Sequence, residues 1–412
     1  MLAALPAALL TLALLIAPTT RPAVDRTTLH GKIMAGYQGW FNAPGDDSQR
    51  GWVHWARNGG MRDGNATVEL WPDVSEYENT YDTALKHADG SVAKVFSSHD
   101  KQTVLKHFEW MQTYGLDGVF VQRFMLPDAD TRYWDSTNQI LEHCREGADT
   151  YGRAYAVMYD LSGLGEGETR RVAADWQRLR EERRVTEDAA YLHHSGKPLV
   201  VVWGIGFADD RKYTLAECME LVKDLQAGGC TVMIGVPSYW REGGRDAMRD
   251  PLLKQIVEQV DLVSPWTVGR YDSPEAARQH ARDTIAADLQ WTAERGTELM
   301  PVVFPGFSWH NLHDGPLNQI PRRMGAFLWS QITADIEAGA GMIYVAMFDE
   351  VDEATAIFKC TNEPPVGEAS RFIDYEGLPS DFYLRLVGAA GEVLRGDREA
   401  TPDVPADLMP GE

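Results

Sequence analysis

The chain has 412 residues and a formal net charge of −22, with 61 Asp and Glu against 39 Lys and Arg. A field of that sign repels phosphate backbones and anionic bilayers, so nucleic acid and acidic membrane surfaces are disfavoured as partners. Apolar residues make up 44% of the chain, enough for the core of one large domain or two ordinary ones, and the 13 Trp exceed what packing usually requires.

The first stretch, Leu2 to Pro18, is Leu- and Ala-rich and uncharged, with a polar, Pro-containing segment after it. It reads as a secretory signal peptide, with an uncleaved anchor as the rival, and residues 1–25 are set aside on that ground. Export to the periplasm, cell surface or medium follows as an expectation. Pro6 and the shortness of the run argue against a full membrane span, which needs about 20 residues. No later segment could cross a bilayer, and a monomer is expected. Cys144, Cys218, Cys230 and Cys360 show no C-x-x-C spacing, which leaves one or two disulfides, or buried thiols, and no zinc site.

From residue 26 onward, short apolar runs alternate with helical patterns, the signature of a parallel sheet with crossover helices. Nine runs read as strands: Ile33–Tyr37, Val92–Phe96, Gly118–Gln122, Ala154–Tyr159, Leu199–Trp203, Thr231–Val236, Leu262–Pro265, Pro301–Phe304 and Met342–Met347. A closed (β/α)8 barrel takes eight. Val92–Phe96 is the one removed, because it leads straight into Ser97-Ser98-His99-Asp100, a helix-cap pattern, and a helix that stops at Gly115. Asn42 to His99 then forms an excursion after the first strand, with a small hairpin in it. Thr214 with Glu217 makes a capping box, and Ser273-Pro274 an N-cap with proline at the first helical position. A last helix near Ser380–Leu394 closes a single domain of residues 26–396, and 397–412 is an acidic, Pro-containing tail expected to fray.

In such a barrel, active sites gather at the C-terminal ends of the strands. The residues there are Tyr37, Gln38 and Trp40 after the first strand, Gln122 and Arg123 after the second, and Tyr159 and Asp160 after the third. Trp203 ends the fourth, Tyr239 and Trp240 follow the fifth, Trp266 ends the sixth, and Trp309 and His310 follow the seventh. Flat aromatic faces beside hydrogen-bonding groups suit a sugar, with its apolar ring faces and hydroxyl-rich edge. These residues are the candidate substrate contacts. Arg270, another strand-end charge, either orients carboxylates, binds substrate or pairs on the surface.

The eighth strand ends in Phe348-Asp349-Glu350-Val351-Asp352-Glu353, four carboxylates within five residues. Crowded like charges raise at least one carboxyl pKa. Glycosidic cleavage needs that split, with one carboxyl protonated toward the leaving oxygen and one ionised as base or nucleophile. Glu350 and Glu353 are three apart, so a helical turn points both the same way. They are the candidate acid–base pair. A calcium site and a solvated acidic turn are the rivals. The first lacks the spaced D-x-D-x-D-G pattern, and the second sits poorly after so apolar a strand. No H-x-x-H or H-E-x-x-H spacing, G-x-S-x-G elbow or Gly-rich phosphate loop occurs, so no metal or cofactor is expected.

Four segments carry a resemblance: Gly36-Tyr37-Gln38-Gly39-Trp40-Phe41, Ser97-Ser98-His99-Asp100, Gly115-Leu116-Asp117-Gly118-Val119-Phe120-Val121 and Phe348 to Thr355. They resemble the glycoside hydrolase family 71/99-like group, which includes the endo-α-mannosidases, in order from about residue 31 to 395. The resemblance implies an O-glycosyl hydrolase of α-linked, mannan-like glycans that retains configuration through a 1,2-anhydro sugar. By spacing, Glu350 would take the proton of the sugar 2-hydroxyl and Glu353 would be the acid/base, with Tyr37 in the floor of the site. The group's pair is usually preceded by Asn and encloses Trp, whereas Asp349 and Val351 stand here. A non-catalytic glycan-binding barrel is the alternative.

Overall fold

A computed structural model describes residues 21–57, 59–126 and 128–411. The leader-like run lies outside them, and by Pro22 and Val24 the chain is already bonded to the barrel, through Pro22 O from Arg153 and Val24 N to Gly152 O.

Twelve strands occur among the described residues: β1 (Ile33–Tyr37), β2 (Tyr81–Lys86), β3 (Val92–Val95), β4 (Gly118–Phe124), β5 (Ala154–Asp160), β6 (His193–His194), β7 (Lys197–Trp203), β8 (Thr231–Pro237), β9 (Leu262–Trp266), β10 (Glu298–Leu299), β11 (Val302–Val303) and β12 (Ile343–Val345). The main sheet runs β10-β9-β8-β7-β5-β4-β1-β12-β11, all parallel, with β6 antiparallel on β7. β10 and β11 are two halves of one barrel stave. β10 pairs with β9 and β11 with β12, so this stave closes the ring. Met300 N bonds Val263 O at 2.9 Å on one side, and Tyr344 N bonds Pro301 O at 2.9 Å on the other. The expected strand Pro301–Phe304 is therefore only the second half of this stave, and Pro301, which has no N–H to give the ladder, sits at the break between the halves. The protein is thus a (β/α)8 barrel. Its strands are covered by helices outside and side chains inside, which is why they read as near-continuous apolar runs.

β2 and β3 form the hairpin of the excursion, with Tyr81 opposite Val95 and Lys86 opposite Val92. Val92–Val95 therefore stays out of the barrel. The helix Lys101–Tyr114 ends where Gly115 turns left-handed at φ 89°, its N–H closing on Met111 O. Both elements of the capping box at Thr214 and Glu217 are formed, and Ser273 caps Pro274–His280. The closing helix runs Phe382–Leu394.

Among the described residues the tail makes contacts with the barrel as far as Leu408. The Trp329 indole donates to Thr401 O at 2.8 Å, Arg398 forks onto Asp407, and Leu408 is buried. All four cysteines are buried free thiols. No helix among the described residues is long and apolar enough to cross a membrane.

Candidate active site

Side chains along a strand alternate between the two faces of the sheet. In this barrel, one set faces the lumen and the other packs against the helices. Gln122 and Phe124 of β4, Met158 and Asp160 of β5, Trp203 of β7, Trp266 of β9 and Tyr344 of β12 all line one cavity of about 500 Å³. Gln38 and Trp40 enter from the turn after β1, Phe307 and Trp309 from the loop after β11, and Glu350 and Glu353 from the turn after β12. Two glycines make room. A Cβ on Gly235 would fall 2.4 Å from the Trp203 ring, and one on Gly36 would fall 2.2 Å from the Met347 Cε. The floor is polar as well as apolar: Gln122 Nε2 donates to the Tyr344 hydroxyl at 3.2 Å and lies 3.1 Å from the Met158 sulfur. Trp203 and Trp266 meet edge to face at 5.3 Å on one wall.

The acidic turn is built by its own hydrogen bonds. Asp349 is fully buried and accepts the N–H groups of Gln38 at 2.7 Å and Gly39 at 2.8 Å, tying β12 to the end of β1. Burial holds its carboxyl up at about 7 despite those donors. Asp352, also buried, accepts from the His54 Nδ1 at 3.0 Å, and the His54 ring lies flat on Trp40, 3.8 Å away and 3° from parallel. Thus Asp349 and Asp352 brace the turn, and Glu350 and Glu353 reach the cavity.

Glu350 is 5% exposed and has a donor on each carboxylate oxygen, the Gln38 amide at 2.6 Å and the Thr355 hydroxyl at 2.6 Å. Burial pushes its pKa well above the carboxylate range, and repulsion from Glu353 and Asp352 adds to this against the pull of the two donors. Glu353 is pushed up to about 8 by burial and by Asp352 and Asp160, with the Trp309 side chain pulling it back. Two carboxyls so close and so poorly solvated do not both ionise readily, so one retains its proton near neutral pH. Asp160 is raised by burial and bonds the Ser162 N–H at 2.7 Å. Gln38 Oε1, Trp40 Nε1 and Trp203 Nε1, buried atoms of cavity-lining residues, have no hydrogen-bond partner among the described residues.

The structure thus brings together Gln38, Trp40, Gln122, Asp160, Trp203, Trp266, Trp309, Glu350 and Glu353. It does not bring in Tyr37, Arg123, Tyr159, Tyr239, Trp240 or His310, for one reason of phase and one of loop course. Tyr37, Arg123 and Tyr159 fall on the outward phase of their strands. The Tyr37 hydroxyl bonds the His107 Nδ1 at 2.9 Å behind the barrel wall. Arg123 forks onto Asp175 at 2.5 and 2.9 Å, and Tyr159 donates to the same carboxylate at 2.8 Å. After β8, and after Trp309 in the loop past β11, the chain leaves the mouth. The Trp240 indole donates to Asp288 at 3.0 Å, His310 pairs with Gly315 O at 3.0 Å, and Tyr239 lines a neighbouring cavity. Conversely, Phe124, Met158 and Tyr344 line the site without having been marked. For Phe124 and Met158, the two-residue spacing from Gln122 and Asp160 was the available signal.

No model of a known protein family matches the chain, and no curated protein matches it. Solved structures do. A GH99 endo-α-mannosidase from Bacteroides thetaiotaomicron in complex with bis-tris-propane superposes with a TM-score of 0.64 at 18% identity, over 91% of this chain and 100% of that one. A second structure of a GH99 endo-α-mannosidase from Bacteroides thetaiotaomicron gives 0.63 at 17%, over 90% and 99%. A glycoside hydrolase-like protein gives 0.55 at 12%, over 90% and 96%. Nearly end to end, then, this chain has the barrel fold of the GH99 endo-α-mannosidase structures.

Proposed function

We propose that the protein is an exported glycoside hydrolase that cleaves an α-linked, mannan-like glycan at the Glu350/Glu353 pair. The observation that carries this reading is a pair of poorly solvated carboxyls in unequal settings, at the mouth of a sugar-sized aromatic hollow. Glu350 has a donor on each oxygen, which favours its ionised form, and Glu353 has none of comparable strength. Burial raises both carboxyls, Glu350 the more, and the shared proton is placed on Glu353 on the strength of the two donors that Glu350 accepts from. That assignment suits Glu353 to protonating the leaving oxygen, and Glu350 to drawing the proton from a sugar 2-hydroxyl. The hydroxyl oxygen then attacks C1 as the glycosidic bond breaks, giving a 1,2-anhydro sugar. Water activated by Glu353, now ionised, attacks C1 and breaks the C1–O2 bond while Glu350 returns its proton to O2, which restores both carboxyls and gives overall retention. The likeness to structures named as endo-α-mannosidases, and the leader-like run Leu2–Pro18, support the substrate and the export.

The test is a panel of α-linked glycans assayed with wild type, Glu350→Gln and Glu353→Gln. Wild type should release sugar and each variant should lose about 10²–10⁴-fold in rate. Release by wild type with both variants fully active would remove the site assignment. No release from any glycan, with retention on a glycan array, would make the protein a binding barrel.

A further inference from the structure

Beside the catalytic hollow lies a second cavity of about 560 Å³, and Arg270 lines both. Its walls come from the loop after β8, with Tyr239 and Arg245, and from the segment after β9, with Tyr271 and His280. The two walls are pinned together. Asp246 accepts from Ser238 N at 3.0 Å, Tyr239 N at 3.2 Å and Arg270 Nε at 2.6 Å, so the β8 loop is held against the rim of the catalytic mouth.

Arg245 stands next to that pin with a left-handed backbone, φ 55°, which L side chains adopt rarely. Its guanidinium lies 4.1 Å over the Tyr239 ring. It has no hydrogen bond or ion pair among the described residues. Two acids also line this cavity, and neither pairs with Arg245: Glu242 accepts from Arg241 at 2.5 Å, and Asp283 from the neutral Gln279 amide. Arg245 therefore keeps a guanidinium that no described carboxylate pairs with, stacked flat beside a cavity that shares Arg270 with the catalytic hollow. A planar guanidinium whose fork is free is matched to a carboxylate, sulfate or phosphate, which it binds with two parallel bonds.

We propose that this second cavity is a subsite for an oxyanion-bearing sugar of the same glycan, held by Arg245 on Tyr239, so that the preferred substrate is an acid-substituted rather than a neutral oligosaccharide. The inference rests on the hydrolase reading for its meaning, but not for its test.

Three matched α-linked oligosaccharides serve as probes: unsubstituted, uronate-bearing and sulfate-bearing. Hydrolysis is compared in wild type and Arg245→Gln, and binding of the same three is measured by calorimetry. Wild type should favour at least one acidic probe by about tenfold in kcat/KM, mainly through KM. Arg245→Gln should bring that acidic-to-neutral ratio close to one. Preference for the uronate or for the sulfate identifies which oxyanion the subsite takes. If neutral and acidic probes are cleaved alike, or if the acidic preference survives Arg245→Gln, the subsite is refuted while the hydrolase stands. If no probe is cleaved but an acidic one binds wild type and not Arg245→Gln, the subsite stands and the hydrolase reading falls. Neither cleavage nor binding refutes both.

Discussion

Replacing Asp352 by Asn should move the alkaline limb of catalysis to lower pH. The side chain is buried, lies next in sequence to Glu353, and is the second cause, after burial, that lifts Glu353 from 4.5 to about 8. Asn keeps the shape and an oxygen for the His54 Nδ1, now 3.0 Å from the carboxylate, so the brace on Trp40 survives while the charge goes. Glu353 must carry its proton to act as the acid. Losing a neighbouring negative charge makes that proton easier to lose, so its pKa falls. A like charge at this range is worth about one pH unit, or about 1.4 kcal/mol. The kcat/KM profile of wild type should turn down near pH 8, and that of Asp352→Asn about one unit lower. The variant should therefore be roughly tenfold slower than wild type at pH 9 and nearly equal to it at pH 6. The assay is glycan hydrolysis across pH 5–10, with thermal melting to show that the variant is folded. An alkaline limb that stays in place or moves upward would refute the assignment of Glu353 as the acid and of Asp352 as the charge that tunes it.

The same buried proton has a cost in stability. For Glu353 the folded-state pKa, about 8, exceeds the ordinary 4.5, so the unfolded chain gives up its proton first as pH rises. Stability from this group is intact below about pH 4.5 and declines up to about pH 8. Glu353→Gln should thus melt a few degrees higher than wild type at pH 8 and about equally at pH 4, and a higher melting point for wild type at pH 8 would contradict this. Arg123→Ala should destabilise the fold by about 3–5 kcal/mol, because it strands the buried Asp175 carboxylate. It should leave KM unchanged in the folded fraction, measured by denaturant melts and steady-state kinetics, and a KM defect in a stable variant would return Arg123 to the sugar site.

Much of this architecture is written locally in the chain. Apolar runs marked every barrel stave, because strands buried on both faces have no polar alternation to hide them. Gly115, Thr214 with Glu217, and Ser273 with Pro274 marked helix ends, because caps are satisfied within a few residues. The crowding of Asp349, Glu350, Asp352 and Glu353 after β12 was likewise visible, since it is a fact of sequence spacing.

The phase of each strand about the barrel axis was not. Whether Gln122 or Arg123 meets the lumen depends on which face the closed sheet turns inward, and that is settled by pairing with strands far away in the chain. Arg123 could be assigned to the wall only once Asp175 and Tyr159 stood behind it. The courses of the loops after β8 and β11 were hidden for the same reason. Asp246 reaching Arg270, and Trp240 reaching Asp288, are contacts between segments 24 and 48 residues apart. Local propensity and spacing determined the elements and the acidic motif. Only long-range burial and hydrogen bonding decided which side chains face the cavity, because those energies do not exist until the barrel is closed.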